Sequence, residues 1–235
     1  KNIDYPCTCI LVTRDKAYDN LEWIWGYREN DRLGGKDIYS GSKGAAELII
    51  KAYWYSFLSK NKYLKMAVVR AGNVIGGGDW SSDRIVVDCI KSFTENIPVE
   101  LRNPNATRPW QHVLEPLSGY LRTGQALYEE RIRNGEAYNF GPAVEQIRTV
   151  FDLSSQIASA WKSSGKDMIR VRENIPFEEA QLLKLNCDKA LSEMDWRPTL
   201  DFDATVDFVV SWYKCYFSCP NDLFDFTIEQ ISSYG

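Results

Sequence analysis

The sequence predicts an α/β fold with a parallel sheet, and three stretches predict it. Residues 7–13, CTCILVT, are a short apolar run of strand formers that ends at the charged Arg14-Asp15-Lys16. Residues 37–59 read as one long helix, with Ala45, Ala46, Leu48, Ile49, Ile50, Tyr53, Trp54 and Phe57 along it. Residues 66–74, MAVVRAGNV, are a second apolar strand. Strand, helix, strand is the crossover rhythm of parallel pairing, and a mixed carboxyl-terminal lobe follows.

Taken in order, the first strand reads as buried, with its carboxyl end opening into a site. Residues 18–36 are aromatic, charged and punctuated by Gly26, Gly34 and Gly35, which predicts a long surface loop. The helix over 37–59 is apolar nearly all round. It should bury one face on the sheet and another against a second helix, from this chain or from a second copy. The second strand breaks at Gly72 and runs into Gly76-Gly77-Gly78-Asp79-Trp80. A short amphipathic helix is expected over 83–95, and RNPNATRPWQHV within 99–113 is dense in turn formers and cations. Helices at 114–133 and 149–163 flank a strand at YNFGP. A strand at 169–172, an extended stretch over 174–185, and helices at 188–194 and 203–217 complete the chain, which has no internal repeat.

A chain of 235 residues can bury a sizeable core as one large domain or as a domain with a smaller lobe. The net charge of -4 argues against a nucleic-acid binder with a broad cationic face. An anionic small molecule, held in a local basic pocket, is the more economical partner. Six cysteines are scattered without paired C-x-x-C spacing, and His112 is the only histidine. That composition predicts reduced thiols in a cytosolic protein and no metal site. No apolar run approaches the roughly 20 residues that span a bilayer, and Lys1–Pro6 does not resemble a signal peptide.

The chemistry centres on Tyr39-Ser40-Gly41-Ser42-Lys43. Four residues is one helical turn, so the phenol and the ammonium share a face. A phenol, with an ordinary pKa of about 10, serves as a base near neutrality only where a positive charge stabilises its anion. A tyrosine that packs and a lysine in solvent would give the same pattern by chance.

The neighbouring stretches narrow the choice. VTRDKAYDN, WGYREND, YSGSKGAAEL, RAGNVIGGGDW, RNPNATRPWQHVLEPLSGYL and DWRPTLDFD, in that order, resemble the extended short-chain dehydrogenase/reductase family, and within it the nucleotide-sugar 4,6-dehydratases. The resemblance covers essentially the whole chain. It implies the carboxyl-terminal portion of a Rossmann-type NAD-binding domain (1–80 and 107–142) with a smaller mixed α/β nucleotide-sugar lobe (81–106 and 143–235). It implies NAD as cofactor, a nucleotide sugar as substrate, and a homodimer or higher homo-oligomer through the 37–59 helix. Tyr39 and Lys43 would hold the cofactor and take the 4-hydroxyl proton. Asp15 and Lys16 would act as the acid and base of dehydration, and Asn73, Arg84 and Arg108 would grip the sugar and its diphosphate.

Two departures accompany the resemblance. The glycine-rich phosphate loop that should follow a first strand is not in the sequence, since Gly76–Gly78 have the spacing of a turn beside the substrate. A first half is therefore expected before Lys1, without which the NAD site is incomplete. The second departure is Arg14, which stands where the family carries a serine or threonine that bonds the sugar 4-hydroxyl. Thr13 is the nearest hydroxyl, and strand alternation turns it to the opposite face. On this reading Arg14→Ser raises turnover. Another nucleotide-sugar epimerase or reductase, or a non-catalytic chain, are the competing readings.

Overall fold

The computed structural model describes residues 3–162, 168–172 and 182–235; most of the extended stretch expected over 174–185 lies outside them. In chain order the elements are β1 (Cys7–Arg14), α1 (Ile38–Ser56), β2 (Leu64–Ala71), β3 (Val74–Ile75), α2 (Ile85–Thr94), β4 (Val99–Leu101), β5 (Thr107–Arg108) and β6 (Gln111–His112). They continue as α3 (Leu114–Tyr128), β7 (Ala137–Phe140), β8 (Arg148–Thr149), α4 (Val150–Trp161), β9 (Ile169–Val171), α5 (Asp188–Met194), α6 (Phe202–Ser218) and α7 (Leu223–Tyr234).

These elements form two compact units. The first comprises residues 1–72, 115–141 and 183–198. Its sheet has the order β1-β2-β7 and is parallel throughout. Register runs from Cys7↔Leu64 to Arg14↔Ala71, and from Val68↔Ala137 to Ala71↔Phe140. Alternation along β2 sends Ala67 and Val69 into a core with Ala126 and Leu127 of α3, and Arg70 to the opposite side, against α1. Gly119 lets α3 approach the sheet, because a Cβ there would stand 2.3 Å from the Phe140 ring. Residues 183–198, expected in the sugar lobe, pack instead in this unit. Ala190, Met194 and Trp196 share its core, and Trp196 meets Phe140 edge to face at 4.8 Å.

The second unit comprises residues 73–114, 142–182 and 199–235, so 73–80 and 107–114 fall here rather than with the parallel sheet. Its core gathers Val86, Ile90 and Phe93 of α2, Leu153 and Ile157 of α4, and Val206, Val209, Val210 and Tyr213 of α6. Helix α4 starts on a capping box, in which Thr149 Oγ1 accepts from Asp152 N–H and Asp152 Oδ2 accepts from Thr149 N–H, each at 3.0 Å. Gly77 sits under the Trp212 ring, where a Cβ would stand 2.1 Å from it, and Gly78 has φ +82°. The sequence reading missed α7. It is bonded to α6, with Trp212 Nε1 donating to Thr227 at 3.0 Å and Gln230 Nε2 to the Phe208 carbonyl at 2.8 Å. Its large apolar residues Phe224, Ile228 and Ile231 are exposed.

No helix among the described residues is long and apolar enough to cross a membrane. All six cysteines are free thiols.

Candidate active site

Strand β1 ends at Arg14 in ordinary extended backbone (φ -141°, ψ 160°), and the chain turns at once into a single 3-10 turn, Asp15–Ala17. Asp15 and Lys16 thus lie beyond the carboxyl end of a parallel strand, the side on which open α/β sheets bind ligands. Asp15 is 1% exposed, and Lys16 is half-buried. The charge of Lys16 reaches Asp37, the N-cap of α1. Hydrogen bonds from Ser40 and, less strongly, that lysine hold the Asp37 carboxyl below the usual carboxylate range. The cap is made by Ser40 N–H and Ser40 O–H, which donate to Asp37 at 2.9 and 2.6 Å.

The cap fixes where α1 begins, and with it the first-turn tyrosine. Tyr39 is 46% exposed, and Lys43, one turn on, holds its ammonium 5.5 Å from the Tyr39 ring centroid. From the strand, Arg14 Nη1 donates to Tyr39 Oη at 3.0 Å, with the guanidinium carbon 5.9 Å from the same centroid. The phenol is flanked by two cations, one from its own helix and one from β1. Arg14 also acts on Tyr120 of α3, whose phenol is pushed up to about 12 by burial against the opposing pull of that cation. Thr13 is engaged elsewhere, its hydroxyl donating to Glu47 Oε1 at 2.5 Å.

Glu47 belongs to a buried polar network that the sequence reading did not find. Glu47 and Arg70 are each 3% exposed and form a bidentate ion pair, Arg70 Nε lying 2.8 and 2.9 Å from the two carboxylate oxygens. Arg70 Nη1 donates to Tyr18 Oη at 2.6 Å and to the Glu29 carbonyl at 3.1 Å. Tyr18 O–H in turn donates to Asn139 Oδ1 at 2.8 Å, and Asn139 Nδ2 to the Tyr27 carbonyl at 2.9 Å. Burial works against the Arg70 charge, but Glu47 and Tyr18 outweigh it and hold the guanidinium above its ordinary value. Burial also pushes the Tyr18 phenol up, against the pull of Arg70. A signal was present: one arginine inside the apolar strand MAVVRAG requires a buried acid, and Glu47 is the acid of the facing helix.

The remaining residues that the sequence singled out belong to the second unit. Asn73 precedes β3, and its carbonyl accepts from Gln111 N–H at 3.1 Å. Arg84 is exposed at the N-cap position of α2. Arg108 lies in β5, largely buried, with Nη1 donating to the Thr107 carbonyl at 2.9 Å. His112 is 4% exposed and packs edge-on to Phe208 at 5.4 Å. Burial pulls its pKa down to about 4, so its imidazole is neutral near pH 7.

No family model matches the chain. A CDP-glucose 4,6-dehydratase of Salmonella typhimurium is 44% identical over 229 residues, which cover 96% of this chain and 63% of that protein. Among solved structures, a dTDP-glucose 4,6-dehydratase of Bacillus anthracis in complex with NAD superposes with a TM-score of 0.73 at 23% identity, over 87% of this chain and 61% of that one. A dTDP-glucose 4,6-dehydratase of Streptomyces venezuelae with NAD bound gives 0.74 at 18% identity, over 91% and 62%. The chain therefore spans less than two thirds of each of these three relatives. Its fold is that of these dTDP-glucose 4,6-dehydratases, and in sequence it is similar, along nearly all of its own length, to a CDP-glucose 4,6-dehydratase.

Proposed function

We propose that the protein is an NAD-dependent nucleotide-sugar 4,6-dehydratase, a hydro-lyase that converts CDP-glucose to CDP-4-keto-6-deoxyglucose. The observation that carries this reading is the phenol of Tyr39, set between Lys43 and Arg14 beside a strand end that continues into Asp15 and Lys16. The 44% identity to a CDP-glucose 4,6-dehydratase supplies the substrate class.

The residues present fit the reacting end of a nicotinamide cofactor. An exposed phenol and an ammonium one turn apart, at the ligand-binding end of a parallel sheet, are the donors that would hold its ribose and face the sugar. NAD, when bound, supplies the acceptor for the hydride of sugar C4 and returns that hydride to C6.

The chain's own groups move the protons. Tyr39 Oη, as phenolate, takes the proton of the 4-hydroxyl, and the cations beside it oppose its charge. A ketone at C4 acidifies the C5 proton, which is otherwise inert. Asp15 and Lys16 are the pair that takes the C5 proton and protonates the departing 6-hydroxyl, so that water leaves, and the same pair returns a proton to C5 when C6 takes the hydride. Asn73, Arg84 and Arg108 are assigned to the sugar and its diphosphate, since a guanidinium offers phosphate a bidentate fork. A second copy of the chain is the proposed cover for the apolar outer face of α1.

The test is incubation of the full-length protein and NAD with CDP-glucose, followed by mass spectrometry. A product lighter by one water is expected, and Tyr39→Phe should lower its rate by at least about a hundredfold. An isomer of unchanged mass would instead make the protein an epimerase, and an unaltered substrate would leave a binding protein.

A further inference from the structure

We infer that Arg14 is a catalytic residue, a second cationic partner that donates to the Tyr39 phenol oxygen and opposes the negative charge this oxygen carries when it acts as a base, rather than an obstruction left where a hydroxyl belongs. The inference rests on the base role proposed for Tyr39.

Four observations carry it. Arg14 sits in unstrained extended backbone and keeps its pairing register with Ala71, so the strand end is not distorted to admit the larger side chain. Alternation then separates neighbours: Thr13 goes to Glu47, and Arg14 goes to Tyr39. The contact is to the reacting atom itself, Nη1 to Oη at 3.0 Å. Finally, Lys43 approaches the same ring from the helix, so the two cations act on one phenol from two elements.

The chemistry of a guanidinium explains what such an exchange loses and gains. A serine hydroxyl can both donate and accept, whereas a guanidinium only donates and is always charged. At position 14 the chain gives up an acceptor for a sugar hydroxyl. It gains a fixed positive donor on the oxygen that must carry negative charge, and a hydrogen bond between charged partners is about twice as strong as one between neutral groups. Arg14 thereby shares with Lys43 a duty that the helical lysine would otherwise carry alone.

A probe that needs neither substrate nor cofactor tests this. Tetranitromethane nitrates tyrosine through the phenolate, and peptide mapping reads the rate at Tyr39 separately from the other tyrosines. In the full-length protein, Arg14→Gln and Arg14→Ser should each slow nitration of Tyr39 by about tenfold, and Arg14→Lys should recover part of that loss. Lys43→Gln should slow it too, and the double variant Arg14→Gln/Lys43→Gln should be slower than either. Circular dichroism identifies any variant that has lost its fold, in which case the Arg14→Lys comparison decides. Nitration as fast as wild type, or faster, in the folded Arg14→Gln protein would mean that Arg14 merely shields the ring, and would overturn the inference. Since no turnover is read, failure here is distinct from failure of the dehydratase reading, which the water-loss assay tests alone.

Discussion

Glu47→Ala is the substitution through which the architecture of the first unit is most directly tested. Glu47 and Arg70 are each 3% exposed, and Glu47 accepts both from Arg70 and from Thr13. Its loss removes the charge partner of a guanidinium that water cannot reach. Breaking a buried pair from one side costs about 3–5 kcal/mol, because the remaining charge stays buried. Arg70 would keep Tyr18 and the Glu29 carbonyl, both neutral acceptors, which places the expectation toward the lower end of that range. Glu47→Leu combined with Arg70→Met removes both charges. Tyr18 then still bonds Asn139, so the double change should cost less than the sum of the single ones by about 2 kcal/mol or more. Hydrogen exchange read by mass spectrometry on peptides of α1, β1 and β2 reports the first unit separately. Glu47→Ala should lower protection there at least about a hundredfold. A cost below about 1 kcal/mol, or single effects that simply add, would refute the claim that this pair ties α1 to the sheet.

Two further predictions concern other parts of the chain. His112 is buried, and its ring protons can be followed by NMR, the signal being identified by its loss in His112→Gln. Its folded pKa of about 4 lies below the unfolded value of about 6.5. The unfolded chain therefore binds the extra proton between those values, and stability is full above pH 6.5 and falls as pH drops through 4, by up to about 3 kcal/mol. A ring titrating near 6.5 would refute the burial argument. On α1, Leu48, Ile49 and Tyr53 are exposed, and the proposed homodimer should cover them. Leu48→Asp with Ile49→Asp should shift sedimentation of the full-length protein from dimer to monomer, and a wild-type monomer at micromolar concentration would end that proposal.

What the sequence made legible follows a physical line. The strand at 7–13 and the helix at 37–59 were readable because their patterns are local: a short run of strand formers ending at charge, and a long stretch apolar nearly all round. The 183–198 segment was misplaced because nothing local says which core a short helix joins. That choice is made by Trp196 against Phe140. Helix α7 was missed for a related reason. It bonds α6 through Thr227, which accepts from Trp212, and Gln230, which donates to Phe208, while Phe224, Ile228 and Ile231 are exposed, so its apolar residues do not all mark the docked face. The shared face of Tyr39 and Lys43 was legible from their spacing, and the neighbouring motifs were needed to single the pair out, but the Arg14 contact joins residues 25 apart and depends on where a loop returns the chain.

Helix α1 shows why the candidate site needs more than its own motif. Its buried stripe is Ser40, Gly44, Glu47 and Trp54, while much of its apolar side chain area faces out, the inverse of a helix held by a hydrophobic stripe. Polar tethers therefore set its position. Ser40 fixes the cap through Asp37. Gly44 lets the loop backbone pass so closely that a Cβ would stand 2.8 Å from Gly34 N. Glu47 binds two strands at once. Directional bonds and a close backbone contact resist sliding along the helix axis in a way that a smooth apolar stripe does not. A shift of one residue would carry Tyr39 Oη away from Arg14, since each helical residue rises 1.5 Å and turns by about 100°. The phenol stays beside its strand cation because the turns that follow it are fixed by charge and hydrogen bonds, and the apolar residues Leu48, Ile49 and Tyr53 are left exposed.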